Sequence, residues 1–216
     1  MNLSKPTEFA AFCALSARLG QDPLRVQGPG GNTSIKSDGV MWIKASGTEL
    51  ADAETTDIFV PVDRAAALSE AKETAGDGSC KATVLDPQNT LRPSIETAFH
   101  AALDWSVVAH THSIATLTHG VSVDGRKAAR EKLAGLPAAY VPYAKPGLPL
   151  TREILARAEA QTQVFVLENH GLIVCGPDVA ATEALPEEVE TRLAMPELRG
   201  NSDLPLTSAP YVFVLA

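Results

Sequence analysis

The chain has 216 residues, 45% of them hydrophobic and 20% charged, a composition typical of a globular protein with a sizeable core. Its net charge of −8 argues against nucleic acid as a partner, because no basic stripe is present to neutralise phosphates. The absence of a signal peptide pattern, of an apolar run near the ~20 residues that cross a bilayer and of paired cysteines predicts a cytoplasmic protein without membrane contact.

Apolar periodicity predicts helices, in chain order, at 7–19, 64–72, 92–103, 113–118, 151–161 and 179–195. Strands are predicted at 35–36, 40–44, 58–62, 107–110, 138–143, 164–167 and 172–175. The Asp38-Gly39 pair indicates a hairpin turn between the first two strands. Asp63 and Thr151 are expected to cap their helices, and Pro93 is expected in the first turn of its helix. Because strands and helices alternate, the predicted fold class is α/β.

Three of the five histidines follow apolar segments, in His110-Thr111-His112 and in Asn169-His170-Gly171. Residues i and i+2 of a strand point to the same side, so His110 and His112 can present two imidazoles to one site. His170 would add a third, and three neutral nitrogen ligands with an open position suit a catalytic zinc ion. The spacing alone leaves a chance occurrence open, since an H-x-H pair is not rare.

Five segments together resemble the class II aldolase and adducin family, the zinc-dependent aldolases of the fuculose-1-phosphate type. They occur in the family's order and are Gly31-Asn32-Thr33-Ser34, Ala45-Ser46-Gly47, Arg92-Pro93-Ser94-Ile95-Glu96, His110-Thr111-His112 and Glu168-Asn169-His170-Gly171-Leu172-Ile173. The resemblance implies a single α/β/α sandwich around a mostly antiparallel sheet over 1–195. It also implies a homotetramer with active sites near subunit interfaces. The tail, 196–216, is expected to pack at the active site or at an interface.

The resemblance assigns a role to each matching side chain. It implies that zinc, one ion per subunit, is bound by His110, His112 and His170, with another divalent metal as the alternative. Glu96 matches the catalytic acid/base, which shuttles a proton to or from an enediolate. The phosphate-cradling positions of the family fall on Gly31, Asn32, Ser46, Gly47 and Ser94.

Other side chains near these motifs are assigned less specific roles. Ile95 stands where several aldolases carry a second serine, so the phosphorylated state of the substrate stays open. Lys44 is expected to be a solvated strand lysine, although it lies close enough in sequence to replace that contact. His100 and His119 are expected to be structural. The family often uses a tyrosine as a second proton donor, and the sequence does not choose among Tyr140, Tyr143 and Tyr211.

The function implied by the resemblance is a zinc-dependent aldehyde-lyase that cleaves a ketose or ketose phosphate by a retro-aldol reaction. The expected partner is therefore a small sugar or sugar phosphate. A dehydratase, a decarboxylase or a pentulose-phosphate 4-epimerase would use the same zinc site. Epimerases of the family typically lack a glutamate at the Glu96 position, which counts against that branch. A non-catalytic adducin-like module is a further alternative, and it would be expected to have lost its metal ligands.

Overall fold

The computed structural model describes residues 3–74 and 76–194, and these residues contain one sheet of seven strands. The strands are β1 (Asn32–Ser37), β2 (Val40–Lys44), β3 (Phe59–Asp63), β4 (Val107–Thr111), β5 (Ala138–Val141), β6 (Val164–Leu167) and β7 (Gly171–Gly176). Their order across the sheet is β3-β2-β1-β4-β7-β6-β5. All neighbours run antiparallel except β5 and β6, so the sheet is mostly antiparallel, as predicted.

Helices cover both faces of the sheet and give a three-layer α/β/α sandwich. In the described residues they are α1 (Phe9–Gln21), α2 (Arg64–Ala71), α3 (Thr97–Ala102), α4 (Ile114–Gly120), α5 (Val123–Lys132), α6 (Leu148–Leu155) and α7 (Val179–Leu193). Apolar side chains of α1, α5 and α7 share one buried cluster with the sheet. Those of α2, α3 and α6 form clusters on the opposite face. The predicted α/β class is therefore confirmed.

Side-chain alternation along the central strand β4 decides which layer each of its residues meets. Val107 and Ala109 belong to the cluster under α1 and α7. Val108 belongs to the cluster under α3 and α6. His110 lies two residues after Val108 on the same strand, so its side chain points to the same side of the sheet, toward α3.

The hairpin turn at Asp38-Gly39 and the helix cap at Asp63 form where the sequence predicts them. Asp38 and Gly39 have φ values of 51° and 80°, which matches the two positive φ angles of a type I′ hairpin turn. The side chain of Asp63 accepts a hydrogen bond from the backbone N–H of Ala66 and caps α2.

The helix expected from Pro93 onward begins only at Thr97, so this prediction was wrong. Pro93 forms an isolated bridge with Ala45, and the N–H of Ser94 donates to the carbonyl oxygen of Lys44 at 3.1 Å. This pairing with the end of β2 holds the segment extended, which also suits the residue before a proline. Glu96 consequently precedes α3, whereas the predicted helix at 92–103 would have contained it.

Two further helices differ from the predictions. Thr151 does not cap α6 but lies inside it, and its hydroxyl donates to the carbonyl oxygen of Gly147 at 3.0 Å. Helix α5 was not predicted, because its sequence is strongly polar and its buried side is limited to Ala129. The Ser122 side chain accepts from the N–H of Gly125 and caps α5.

The structure bears on the expected lack of membrane contact but not on the expected position of the C-terminal tail. No helix in the described part of the chain is both long enough and apolar enough to span a bilayer. The predicted tail, 196–216, with its apolar run at 211–215, lies outside the described residues.

Candidate metal centre and active site

The pairing of β4 with β7 brings the three predicted metal ligands together. His110 is the fourth residue of β4, His112 follows the strand, and His170 occupies the three-residue turn between β6 and β7. Asn169, at φ 53°, and Gly171, at φ 145°, shape that turn. Thr111 pairs with Leu172, which places the turn beside the end of β4. The ring centroids of the three histidines are 4.8–5.3 Å apart.

Hydrogen bonding fixes the form of the most buried imidazole. His110 is fully buried, and its Nδ1 lies 3.0 Å from the carbonyl oxygen of Leu172. Because a carbonyl oxygen only accepts, Nδ1 carries the proton and Nε2 carries the lone pair. Among the described residues, Nε2 of His110 and Nδ1 of His170 have no hydrogen-bond partner although both atoms are buried.

Burial keeps these imidazoles uncharged at neutral pH. It lowers the pKa of His110 to about 3, and the neighbouring His112 lowers it further. Burial and the nearby His110 lower the pKa of His170 to about 4, although the charge of Glu96 opposes the shift. Burial also lowers the pKa of His112. Neutral imidazoles are the form that binds a metal ion.

The three histidines fit a divalent metal ion. One nitrogen from each residue can be chosen so that all three lie within 4.8 Å of one another. Three imidazole ligands with one side left open are typical of a catalytic zinc site. The unpartnered ring nitrogens are also an observation that a bound ion would explain, since buried polar atoms are normally paired.

A carboxylate faces this group of histidines. Glu96 is 5% exposed, its Oε2 lies 3.5 Å from Nε2 of His110, and its Oε1 lies 3.5 Å from Nε2 of His170. The side chain of Asn32 donates to Oε2 at 2.8 Å. Oε1 has no hydrogen-bond partner within the described chain. One carboxylate oxygen is thus held by Asn32, and the other faces His170.

The remaining predicted residues surround one cavity of about 340 Å³. Besides Glu96, His112 and His170, its lining includes all five predicted phosphate-cradling residues, Gly31, Asn32, Ser46, Gly47 and Ser94. Gly31 has φ 63°, and a Cβ there would stand 2.8 Å from the carbonyl oxygen of His110, so this position requires glycine. His110 lies behind the cavity wall, fully buried.

Lys44 also lines the cavity, which corrects the expectation of a solvated strand lysine. It is 3% exposed, and its Nζ donates to the carbonyl oxygen of Pro29 at 2.9 Å. Burial lowers the pKa of Lys44 to about 8, while the charge of Glu96 opposes the shift. Its place at the end of β2, two residues before Ser46, was the signal in the sequence that this lysine belongs to the site.

The two tyrosines in the described residues differ in their position relative to the cavity. Tyr143 is 53% exposed and lines the cavity together with Ile95, which is 59% exposed. Tyr140 instead donates from its hydroxyl to the carbonyl oxygen of Ala129, and the Arg130 guanidinium stands 4.0 Å from its ring centroid. Tyr211 lies outside the described residues.

Comparison with known proteins identifies related sequences. The profile of the family described as "Class II Aldolase and Adducin N-terminal domain" matches residues 8–195. A Bacillus subtilis protein, "Uncharacterized oxidoreductase YuxG", is 28% identical over 176 residues, which are 73% of this chain and 25% of that protein. The "3-oxo-tetronate 4-phosphate decarboxylase" of Escherichia coli K12 is 30% identical over 139 residues, 52% of this chain and 64% of the decarboxylase. The chain thus spans a quarter of the first relative and slightly under two thirds of the second.

Solved structures with the same fold include the N-terminal class II aldolase domain of a conserved protein from Thermoplasma acidophilum. It superposes with a TM-score of 0.76 at 25% identity and covers 89% of this chain and 95% of that one. L-fuculose-1-phosphate aldolase from Thermus thermophilus superposes with a TM-score of 0.59 at 16% identity, covering 86% and 90% of the two chains. At this identity the second likeness concerns the fold alone.

Proposed function

The chain belongs to the class II aldolase and adducin family, and on that premise we propose that it is a metal-dependent aldehyde-lyase. Its reaction is the retro-aldol cleavage of a ketose or ketose phosphate. The observation that carries the proposal is the placement of Glu96, whose buried carboxylate faces two neutral histidines with one oxygen unpartnered.

His110, His112 and His170 would hold the metal, and their all-nitrogen donor set favours zinc. Bound there, the ion would act as a Lewis acid toward a carbonyl oxygen and stabilise the negative charge that develops during bond cleavage. The carbonyl oxygen of Leu172 orients His110, as a backbone partner commonly does for a metal-binding histidine.

Proton transfer is assigned to Oε1 of Glu96. A retro-aldol reaction removes a proton from a hydroxyl group and later adds one to the carbon left by the departing aldehyde. Oε1 lies beside His170 and accepts no hydrogen bond from the described residues, so it can take up and return that proton. Oε2 stays bound to Asn32, which keeps the carboxylate from rotating.

An anionic substituent of the substrate would bind beside Ser94, Gly47 and Lys44, which line the same cavity as Glu96. Ser94 Oγ accepts from Asn32 Nδ2 and from the N–H of Glu96, both at 3.2 Å, so its own hydrogen is available to an anion. Gly47, at φ 80°, leaves backbone groups open to close approach, and Lys44 supplies a positive charge. These groups favour a phosphorylated or carboxylated substrate over a neutral sugar.

A decarboxylase is the second candidate, favoured by the 30% identical decarboxylase and by the buried cation of Lys44 in the cavity. Loss of carbon dioxide from a 3-oxo acid uses the same electron sink but needs no proton removed from a hydroxyl. Glu96 would then only add a proton to the enolate. The predicted homotetramer stays a prediction in either case.

The deciding experiment combines metal analysis with a substrate panel. We expect about one zinc ion per chain in the purified protein, and loss of that ion in His110→Ala and His170→Ala. Ketose 1-phosphates, their unphosphorylated forms and phosphorylated 3-oxo acids are then assayed for aldehyde and for carbon dioxide. Aldehyde release supports the lyase, and carbon dioxide release alone supports the decarboxylase. Protein without metal affinity or turnover would instead match a non-catalytic adducin-like module.

A further inference from the structure

A buried row of polar side chains leads from Glu96, through the cavity-lining Asn32, into the protein interior. Ser34 and His100 are both fully buried, and Asn32 is 5% exposed. Ser34 Oγ lies 2.8 Å from Nδ1 of His100, and Nε2 of His100 lies 2.5 Å from Oδ1 of Asn32. Asn32 Nδ2 then donates to Oε2 of Glu96 at 2.8 Å.

The chemistry of these groups allows only one direction of donation. A carboxylate only accepts, so Asn32 must turn its amide nitrogen toward Glu96 and its oxygen toward His100. The oxygen of Asn32 requires a donor, which is the N–H at Nε2 of His100. The neutral imidazole then accepts at Nδ1, and the hydroxyl of Ser34 is the donor.

His100 is neutral in this environment. Burial holds its pKa well below the ordinary value, and the nearby positive charge of Lys36 lowers it further. Stacking on Phe99, with ring centroids 4.5 Å apart, fixes the plane of the imidazole. A neutral ring with a fixed plane has one donor and one acceptor in defined directions, which a freely rotating or doubly protonated ring would not have.

We propose that His100 is a positioning residue for Glu96. Its Nε2–H fixes the Asn32 amide, and the amide holds Oε2 so that Oε1 faces His170. His100 has no place in the cavity lining and acts only through Asn32. The role in turnover rests on the proposed function of Glu96, whereas the hydrogen-bond direction stands on the geometry alone.

The first test compares two substitutions of His100. His100→Leu removes both ring nitrogens, so we expect kcat to fall about 10–100-fold, since small displacements of a catalytic group are costly. KM and zinc content should stay within about two-fold. His100→Gln retains an amide donor near the position of Nε2, and should recover most of the lost kcat. Equal losses in the two variants, with zinc and fold intact, would overturn the proposal, as would a wild-type kcat in His100→Leu.

His119→Leu is the matched control. His119 is 4% exposed, and its Nδ1 donates to the carbonyl oxygen of Ala115 within α4, so it is a buried imidazole outside the row. Its loss should lower stability without changing kcat. A fall in kcat equal to that of His100→Leu would mean that general loosening, and not positioning, explains the effect.

The second test needs no turnover. Long-range ¹H–¹⁵N correlation spectra of the metal-free protein report which ring nitrogen of His100 carries hydrogen, with the signal assigned from its absence in His100→Gln. Protonation at Nε2 alone supports the proposal, and protonation at Nδ1 or at both nitrogens overturns it. This measurement decides the matter if His100→Leu does not fold. An active Glu96→Gln would contradict the proposed function while leaving the spectrum valid.

Discussion

At the scale of single residues, the candidate site combines groups that proteins seldom leave unpaired. Oε1 of Glu96 and Nε2 of His110 are buried and lack hydrogen-bond partners among the described residues. Such atoms cost roughly 1–3 kcal/mol each when nothing compensates them. The cost is tolerable if a metal ion and a substrate hydroxyl complete the site, so the unpaired atoms favour a binding centre over an inert core.

Replacing Glu96 by glutamine should separate proton transfer from metal binding. We expect zinc to stay bound, because the three histidines remain, while kcat for aldehyde release falls at least ~100-fold, the usual contribution of a positioned acid/base. Glu70→Gln is the control, since Glu70 is 4% exposed and bonds the N–H of Cys80 away from the cavity. Full activity in Glu96→Gln would rule out the assigned role.

Lys44 should control the affinity for the anionic part of the substrate. Its pKa of about 8 means that the ammonium charge is present below that pH and is lost above it. We expect Lys44→Gln to raise KM for a phosphorylated substrate about ten-fold at pH 7, with a small change in kcat. KM of the unaltered enzyme should rise toward that value above pH 8, whereas the variant should show no such rise.

Lys36→Met provides the comparison for Lys44. Lys36 also has a pKa lowered by burial, to about 7, but its Nζ bonds the carbonyl oxygen of Trp105 outside the cavity. Its substitution should leave KM and its pH dependence unchanged. An equal effect of both substitutions would show that the loss of buried charge acts through stability and not through substrate binding.

The sequence predicted the grouping of the three histidines but not the environment of Lys44. The i, i+2 spacing of His110 and His112 at the end of β4 gives their common direction without any tertiary information. The burial of Lys44 depends on the loop at Pro29 and on the segment of Ser94, both distant in sequence. Contacts with residues so far away along the chain leave no pattern in the sequence around Lys44, and a single lysine on a strand is ordinarily exposed to solvent.

At the scale of elements, two predictions that rest on a local signal are confirmed. The hairpin turn at Asp38-Gly39 and the cap at Asp63 each depend on a few neighbouring residues. The start of α3 was misplaced because Pro93 is a favourable first-turn residue, and only its bridge to Ala45 holds it extended. The bridge lies three residues before Glu96 and so helps to place its carboxylate beside His110 and His170. The segment whose conformation was predicted wrongly is therefore the one that positions this carboxylate.

Gly171 links strand packing to the candidate metal site. A Cβ at this residue would overlap the carbonyl oxygen of Thr111 and stand 3.0 Å from Cα of His112. We therefore expect Gly171→Ala to separate β7 from β4, lower the free energy of unfolding by about 2 kcal/mol or more, and weaken zinc binding. Gly39 also has a positive φ, 80°, but a Cβ there would meet no neighbouring atom. Gly39→Ala should therefore lower the free energy of unfolding without changing zinc binding. Unchanged zinc affinity in Gly171→Ala would contradict this link.

At the scale of the whole molecule, alternation of elements predicted the α/β class but not the sheet order. Alternating strands and helices would by themselves favour a parallel sheet. The mostly antiparallel direction of the strands was predicted from the family resemblance, whereas their order was not predicted. The pairing of β1 with β4, for example, joins strands about seventy residues apart. Local patterns do not encode such pairings, and the family resemblance of the five ordered motifs implied only that the sheet is mostly antiparallel.

The buried histidines should make the metal-free protein sensitive to acid. Burial holds the pKa of His110 at about 3 and that of His170 at about 4, and it also lowers the pKa of His100. In the unfolded chain all three titrate near 6.5. As the pH falls below 6.5 the unfolded chain takes up protons that the folded chain does not bind, so the stability present above pH 6.5 is progressively lost.

This difference in bound protons sets how steeply the free energy of unfolding changes with pH. Each such histidine lowers the free energy of unfolding by up to ~1.4 kcal/mol per pH unit, and the window from pH 6.5 to 5 lies above most carboxylate titrations. Urea unfolding of the metal-free protein across that window should give a slope of several kcal/mol per unit at its acid end. His170→Asn should reduce this slope by about 1.4 kcal/mol per pH unit, the contribution of one proton, because one buried neutral imidazole is removed. A free energy of unfolding that stays constant from pH 6.5 to 5 would mean that these imidazoles are charged in the folded protein, and that they do not form the neutral ligand set that the metal centre requires.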